Sequence, residues 1–347
     1  MPPEQTKMIN ISDDNFEKQH VINGVVQTGD ELKQYNYLNL GPTHPATHGI
    51  FQNILKMDGE IIVDAQPTIG YIHRAFEKLA ENRPFFQITT ITDRLNYCSA
   101  PINNIGWHLT MEKLLGIETP KRVDYLRVIV MELARIADHI ICNSVVAVDT
   151  GALTGFLYVF QWREKIYDVY EEICGARLTT NMGRIGGFER DFSKSAFDKI
   201  DVIVKELPKA LQEFEKLVIR NRIFMDRTIN VGGISGERAL EYGFTGPNLR
   251  AAGVDYDVRV MNPYCSYQDF DFTIPLGSNG DTYDRFCVRQ EEMWQSLRII
   301  EQAIDGLPEG PHITTDRKVA LPPRHELGTS MEALIHHFKL FTEGMRV

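Results

Sequence analysis

The sequence contains no CxxC pair, no long uncharged apolar run, no glycine-rich phosphate loop and no basic excess. Each absence closes off a class of function. The five cysteines, Cys98, Cys142, Cys174, Cys265 and Cys287, are odd in number and widely spaced. That spacing argues against a disulfide framework or a zinc or iron–sulfur site built from this chain, and most of them are expected to be small buried apolar groups. No segment approaches the roughly 20 apolar residues that span a bilayer. The N-terminus, MPPEQTKMINISDDNFEKQ, lacks the apolar run of a signal peptide, so the chain is expected to be made and kept on the cytoplasmic side. A formal net charge of −10 counts against nucleic acid or an anionic lipid surface as the main partner, though not against docking onto a protein that is itself in the membrane. Neither a P-loop nor a GxGxxG motif occurs, so nucleotide binding by this chain has no positive support.

What is present falls into four stretches. Residues 1–36 are polar and without a clear period, and read as a loosely held extension. Over 37–100 the pattern is β-like: Tyr37–Leu40, then Gly49–Met57, a hairpin signal at Asp58-Gly59, and Glu60–Ala65. A small antiparallel sheet is expected there, followed by a short helix over Ile69–Leu79. Residues 101–227 read as helices. In the longest, Val123–Val148, apolar residues recur at Leu126, Ile129, Leu133, Ile136, Ala137 and Ile140, as in a central bundle helix, with Gly151 as its C-cap. Thr154–Cys174 stops at Gly175. Ser193 caps a further helix reaching Ile219, in which Pro208 predicts a kink or a break. Residues 228–347 are irregular apart from helices expected over 281–304 and 330–342. The class is α+β: a small N-terminal sheet, a central long-helix bundle and an irregular C-terminal part.

The stretch Gly41-Pro-Thr-His-Pro-Ala-Thr-His-Gly49 holds two prolines and two glycines, which forbid an α-helix and stiffen the backbone around His44 and His48. Histidine is the side chain that changes protonation near neutral pH, so a rigid histidine loop is a candidate proton handler. Read alone, it is more readily a turn with ordinary surface histidines. A His44/His48 metal site lacks a third ligand at suitable spacing. Asp149 closes an apolar helix and has the bland role of starting the next turn; Tyr97 precedes the bundle and reads by default as core.

Several long segments, in order, carry a resemblance: Leu38-Asn-Leu-Gly-Pro-Thr-His-Pro-Ala-Thr-His-Gly49, Ile69-Gly-Tyr-Ile-His-Arg74, Asp93-Arg-Leu-Asn-Tyr97, Gly175-Ala-Arg177, Leu249-Arg-Ala-Ala-Gly253 and Gly280-Asp-Thr-Tyr-Asp-Arg-Phe-Cys-Val-Arg289. From Tyr37 onward the chain resembles the D-type subunit family of bacterial NADH-quinone oxidoreductase, the hydrogenase-like large subunit of the peripheral arm of respiratory complex I. The resemblance implies a fold like the nickel–iron hydrogenase large subunit, working only within a proton-translocating complex, peripheral on the cytoplasmic face of the inner membrane. The implied partners are a B-type subunit holding a 4Fe-4S cluster, a C-type subunit and the membrane-arm subunit with the quinone channel, NADH being met only through other subunits. The quinone headgroup is expected between the histidine loop and Tyr97. His48 and Tyr97 then act as proton donors, Asp149 is the carboxylate partner of His48, and His44 is a supporting residue. Arg74, Arg94 and Thr179 match family positions that face the cluster.

Three departures matter. The hydrogenases hold nickel with two CxxC pairs, and near Arg94 this chain has only Cys98, which counts against the rival reading as a hydrogenase. Many members carry a histidine where Thr179 stands here, so the cluster potential is expected to depend less on pH; a low-potential acceptor such as menaquinone is compatible with that. Members also usually continue past Val347 with a β-rich segment beside the quinone cavity. The non-enzymatic rival is a scaffold subunit whose site residues are relics.

Overall fold

The computed structural model describes residues 25–26 and 35–345, so the extension expected over 1–36 falls almost wholly outside the described residues. The chain divides into two compact units, Met1–Phe76 and Glu77–Val347.

The first unit is an antiparallel sheet in the order β1-β2-β3-β4, from Val25–Val26, Tyr35–Leu40, Gln52–Asp58 and Ile61–Thr68. The predicted hairpin is present. Gly59 takes φ +64 in the two-residue connection from β3 to β4, a left-handed conformation that glycine adopts without penalty. The loop from β2 to β3 is the histidine stretch, and its only helical turn is 3₁₀, Pro45–Thr47.

The second unit is helical. α1 (Phe76–Glu81) and α2 (Phe85–Thr92) precede α3 (Ala100–Leu115), α4 (Lys121–Asp149) and α5 (Leu153–Cys174). A two-residue ribbon, β5 (Gly183–Arg184) and β6 (Gly187–Phe188), leads to α6 (Lys194–Phe214) and α7 (Arg222–Thr228). Short helices α8 (Gly236–Glu241), α9 (Gly246–Ala251) and α10 (Val258–Met261) come before α11 (Thr282–Asp305), α12 (Arg324–Leu327) and α13 (Met331–Thr342).

The central helix is α4, packed against α3, α5 and α11. Its predicted apolar residues Leu126, Ile129, Leu133, Ile136, Ala137 and Ile140 are all buried, so the stripe that sets its place in the core was visible in the periodicity. The caps agree as well. Gly175 ends α5 at φ +79 with its N–H on Glu171 O at 2.8 Å, and the Ser193 hydroxyl accepts from Ala196 N at 3.1 Å.

Two expectations fail. The helix expected over Ile69–Leu79 begins only at Phe76: Gly70 (φ +109) and Ala75 (φ +52) turn the backbone left-handed and stop a helix from running through. Nor does Pro208 break α6. The helix continues to Phe214 and passes into a π-helical turn at Glu215–Ile219, held by buried Leu207, Ala210, Leu211 and Phe214.

Candidate functional site

The histidine loop is built on Thr47, its one buried side chain, whose hydroxyl lies 3.0 Å from His44 O and 3.4 Å from Pro42 O. A Cβ on Gly41 would lie 2.4 Å from Phe51 O, so glycine is what lets the two arms of the loop approach. His44 caps the 3₁₀ turn, its Nδ1 accepting from Ala46 N at 3.1 Å. That bond assigns the proton of the neutral ring to Nε2 and gives His44 a loop-holding role. His48 ends the turn at φ +51, a left-handed position uncommon for a residue with a Cβ. Its ring is exposed and makes no hydrogen bond among the described residues. Arg74, in the same unit, is exposed and without an ion pair among the described residues.

In the helical unit, Asn96 caps a 3₁₀ turn over Tyr97–Ser99, its Oδ1 accepting from Cys98 N at 3.2 Å, while its Nδ2 donates to Ser99 Oγ and Asp138 Oδ1. Tyr97 is not core: its ring is 52% exposed, and its hydroxyl has no partner among the described residues. Asp149 is the last residue of α4, exposed and unpaired among the described residues. A carboxylate there faces the negative end of the helix dipole, which disfavours it. Thr179, half-buried, sits at φ +55, a strained conformation for a β-branched residue.

A buried polar layer holds this region. Asn104 Nδ2 donates to Asp93 Oδ1 at 2.6 Å and to Thr180 O at 3.1 Å, tying the stretch before Tyr97 to the one after Thr179. Burial raises the Asp93 carboxyl above its ordinary range, opposed by the Asn104 hydrogen bond and by exposed Arg94. His108 is fully buried, with Nε2 3.1 Å from Thr89 Oγ1. Burial first, then Arg127 and Arg184, holds its pKa well below the usual histidine value. Such a group binds its proton in the unfolded chain but not in the fold, so stability falls as pH drops below about 6.5. The unfolding free energy from urea titrations is expected to decline from neutral pH toward pH 5, by up to about 1.4 kcal/mol per pH unit from this group. His108→Gln should flatten that decline, and an unchanged slope would show that His108 does not cause it.

Sequence reasoning missed the charged interior. Arg127 of α4 pairs with Glu112 of α3, its Nη1 2.8 Å from Oε2, both side chains buried. One turn on, buried Glu132 accepts from Tyr267 and Ser296, each at 2.6 Å, and pairs with Arg259 and Arg135, each at 3.2 Å. Burial alone would raise its pKa, but Arg135 and Arg259 outweigh it and hold the carboxyl below its ordinary range. Arg259 also pairs with Asp257 at 2.7 Å, Arg250 with Glu292, and Glu292 with His139 at 2.6 Å. The signal was there: Arg127, Glu132 and Arg135 interrupt the apolar run of α4 between Val123 and Ile136.

Among the described residues no group of three or more His, Cys, Asp or Glu side chains could hold a metal ion, and no helix is long and apolar enough to cross a membrane. Burial pushes every cysteine thiol up, to about 11 at Cys98 and Cys287 and about 12 at Cys265.

The family model described as the 49 Kd subunit of respiratory-chain NADH dehydrogenase matches residues 149–347. The D-type subunit of NADH-quinone oxidoreductase from Flavobacterium johnsoniae is 69% identical over 315 residues, covering 90% of this chain and 76% of that protein. A D-type subunit of the same oxidoreductase from Cytophaga hutchinsonii is 70% identical over 306 residues, 87% of this chain and 78% of that protein. A Bdellovibrio bacteriovorus protein named as the C/D subunit is 47% identical over 328 residues, 94% of this chain and 59% of that protein. Small sheet and long-helix bundle together make this an α+β large subunit of the nickel–iron hydrogenase type. Within that class, the chain belongs to the 49 kDa subunit family of the respiratory-chain NADH dehydrogenase, that of the D-type subunits of NADH-quinone oxidoreductase.

Proposed function

We propose that this chain supplies the proton donors for quinone reduction in a proton-translocating NADH-quinone oxidoreductase and acts only in the assembled complex, on the cytoplasmic face of the membrane. One observation carries the reading. His48, Tyr97 and Asp149 are three exposed titratable groups without hydrogen-bond partners among the described residues, His48 on a left-handed backbone and Asp149 at the helix end that disfavours its charge. Sequences that break local rules without local compensation do so most often at functional sites.

The chemistry follows from the residue types. A quinone becomes a quinol by taking two electrons and two protons. The Tyr97 phenol donates one proton to one carbonyl oxygen, and the His48 imidazolium donates the other. A carboxylate next to an imidazole favours the charged ring and fixes its orientation, and that is the role this reading gives Asp149 toward His48. Once His48 is neutral, Asp149 is left without a compensating cation, at a cost that grows where partner subunits exclude water, and that imbalance is the signal passed to the membrane arm. His44 holds the loop. The electrons come from a 4Fe-4S cluster held by a B-type partner subunit. Arg74 and Arg94, neither in an ion pair among the described residues, face that cluster and stabilise added negative charge. The C-type subunit docks on this chain, as the C/D-named relative supports, and a membrane subunit delivers the quinone.

Asp149→Asn separates this reading from a scaffold role. The chain should melt at the same temperature or slightly higher, because an unfavourable charge at a helix C-terminus is gone. Quinone reductase activity of the assembled complex should fall at least tenfold. Full activity in a complex that assembles normally would leave Asp149 without a role in the site.

A further inference from the structure

A surface cavity of ≈ 380 Å³ lies between α8 and the start of α11, lined by Gly232, Ser235, Arg238, Tyr242, Phe244 and Arg285. Neither arginine forms an ion pair among the described residues. Arg285 Nη2 donates only to the carbonyls of Gly232 and Gly280, at 2.6 and 2.7 Å, and its Nε is buried without a partner. Burial, and then Arg289, lowers the pKa of this guanidinium, with Asp281 opposing. Arg238 meets only the ring of Tyr242, at 5.7 Å from its centroid. At the cavity Tyr242 is 65% exposed, and Val231, next to Gly232 in the chain, is 49% exposed.

We propose that this cavity is a docking site for a carboxylate side chain carried on an apolar segment of a partner subunit. A partly desolvated cation without a counter-charge is costly, and an incoming carboxylate removes that cost while meeting the unused Arg238 and Arg285 donors. On a chain of net charge −10, two arginines without ion pairs at one cavity make a place where an acidic partner is attracted instead of repelled. A free inorganic anion would satisfy the arginines but leave Val231 and Tyr242 wet. A peptide segment covers both, and arginine and tyrosine within an apolar rim is the usual make-up of an interface hot spot. The proposal rests on membership in a family of complex subunits and is independent of the quinone reading.

The test uses the assembled complex. With Tyr242 replaced by photoreactive p-benzoylphenylalanine, irradiation should cross-link this chain to a partner-subunit peptide that contains Asp or Glu beside apolar residues. Arg238→Glu should cut the yield of assembled complex at least tenfold, Arg238→Lys should retain most of it, and changing the cross-linked carboxylate to arginine should rescue Arg238→Glu. Because Arg238 is exposed, the free Arg238→Glu chain should melt as the wild type does, which separates lost docking from lost folding. Normal assembly of Arg238→Glu, or a cross-linked peptide without a carboxylate, would overturn the proposal. So would the absence of a cross-link together with inorganic phosphate alone raising the melting temperature of wild type but not of Arg238→Glu, since the site would then belong to a free anion.

Discussion

Tyr97→Phe in the assembled complex is expected to lower the rate of quinone reduction by a factor on the order of 10²–10⁴, the range that one positioned proton donor contributes. The structure makes this a sharp substitution. The Tyr97 hydroxyl has no hydrogen bond within the described chain, and the ring is 52% exposed, so removing one oxygen leaves folding untouched. His48→Asn should act similarly, because asparagine tolerates the left-handed backbone at φ +51 but cannot carry the proton. If both residues serve one quinone, the double variant should be little slower than the worse single one, since groups acting as a unit are not additive. Steady-state quinone reductase assays on purified complex decide the matter. Wild-type rates in both single variants would reduce the two residues to bystanders and leave only the scaffold role.

Glu132→Gln carries the second large effect, on stability. Glu132 is fully buried and compensates Arg259 and Arg135 while accepting from Tyr267 and Ser296. Glutamine keeps the volume but removes the charge, stranding guanidinium groups in the interior. Breaking a buried pair in this way costs about 3–5 kcal/mol, a large share of a typical stability of about 5–15 kcal/mol. The same network sets an acid limit. Arg250 and His139 hold Glu292 below its ordinary range despite burial, and Arg259 does the same for Asp257. Carboxyls depressed in the fold contribute stability above about pH 4.5, and that contribution is lost as pH falls toward their folded values. Urea unfolding should show a fall in midpoint below about pH 4.5 in wild type and a smaller fall in Glu132→Gln. An unchanged midpoint at neutral pH in that variant would mean the network relaxes around the lost charge.

The central bundle was legible because its determinants are periodic: Leu126 to Ile140 on α4 repeat with the helix, and Gly175 and Ser193 cap where glycine and serine should. The sheet was legible from Asp58-Gly59 and its flanking runs. What failed depends on tertiary context. Pro208 reads as a helix breaker, yet buried neighbours on α6 outweigh one missing backbone bond. The helix over Ile69–Leu79 looked continuous by composition, but Ala75 at φ +52 shows the backbone reversing where alanine gives no local signal. α2 passed unnoticed because Phe85–Thr92 is rich in Ile and Thr, which read as strand formers. At the candidate site, residue types were legible and backbone conformations were not. That His48 and Thr179 are left-handed needed coordinates, whereas Asp149 at the end of α4 was already visible in the helix pattern. The charged interior was hidden because its partners are distant in sequence, Glu132 with Ser296 among them.

The most direct test is a structure of the assembled complex with a quinone analogue bound. The expected result is one analogue whose two carbonyl oxygens accept hydrogen bonds from the Tyr97 hydroxyl and the His48 imidazole, with the Asp149 carboxylate next to that imidazole. An analogue bound elsewhere, or residues 48 and 97 separated by packed protein, would contradict the account.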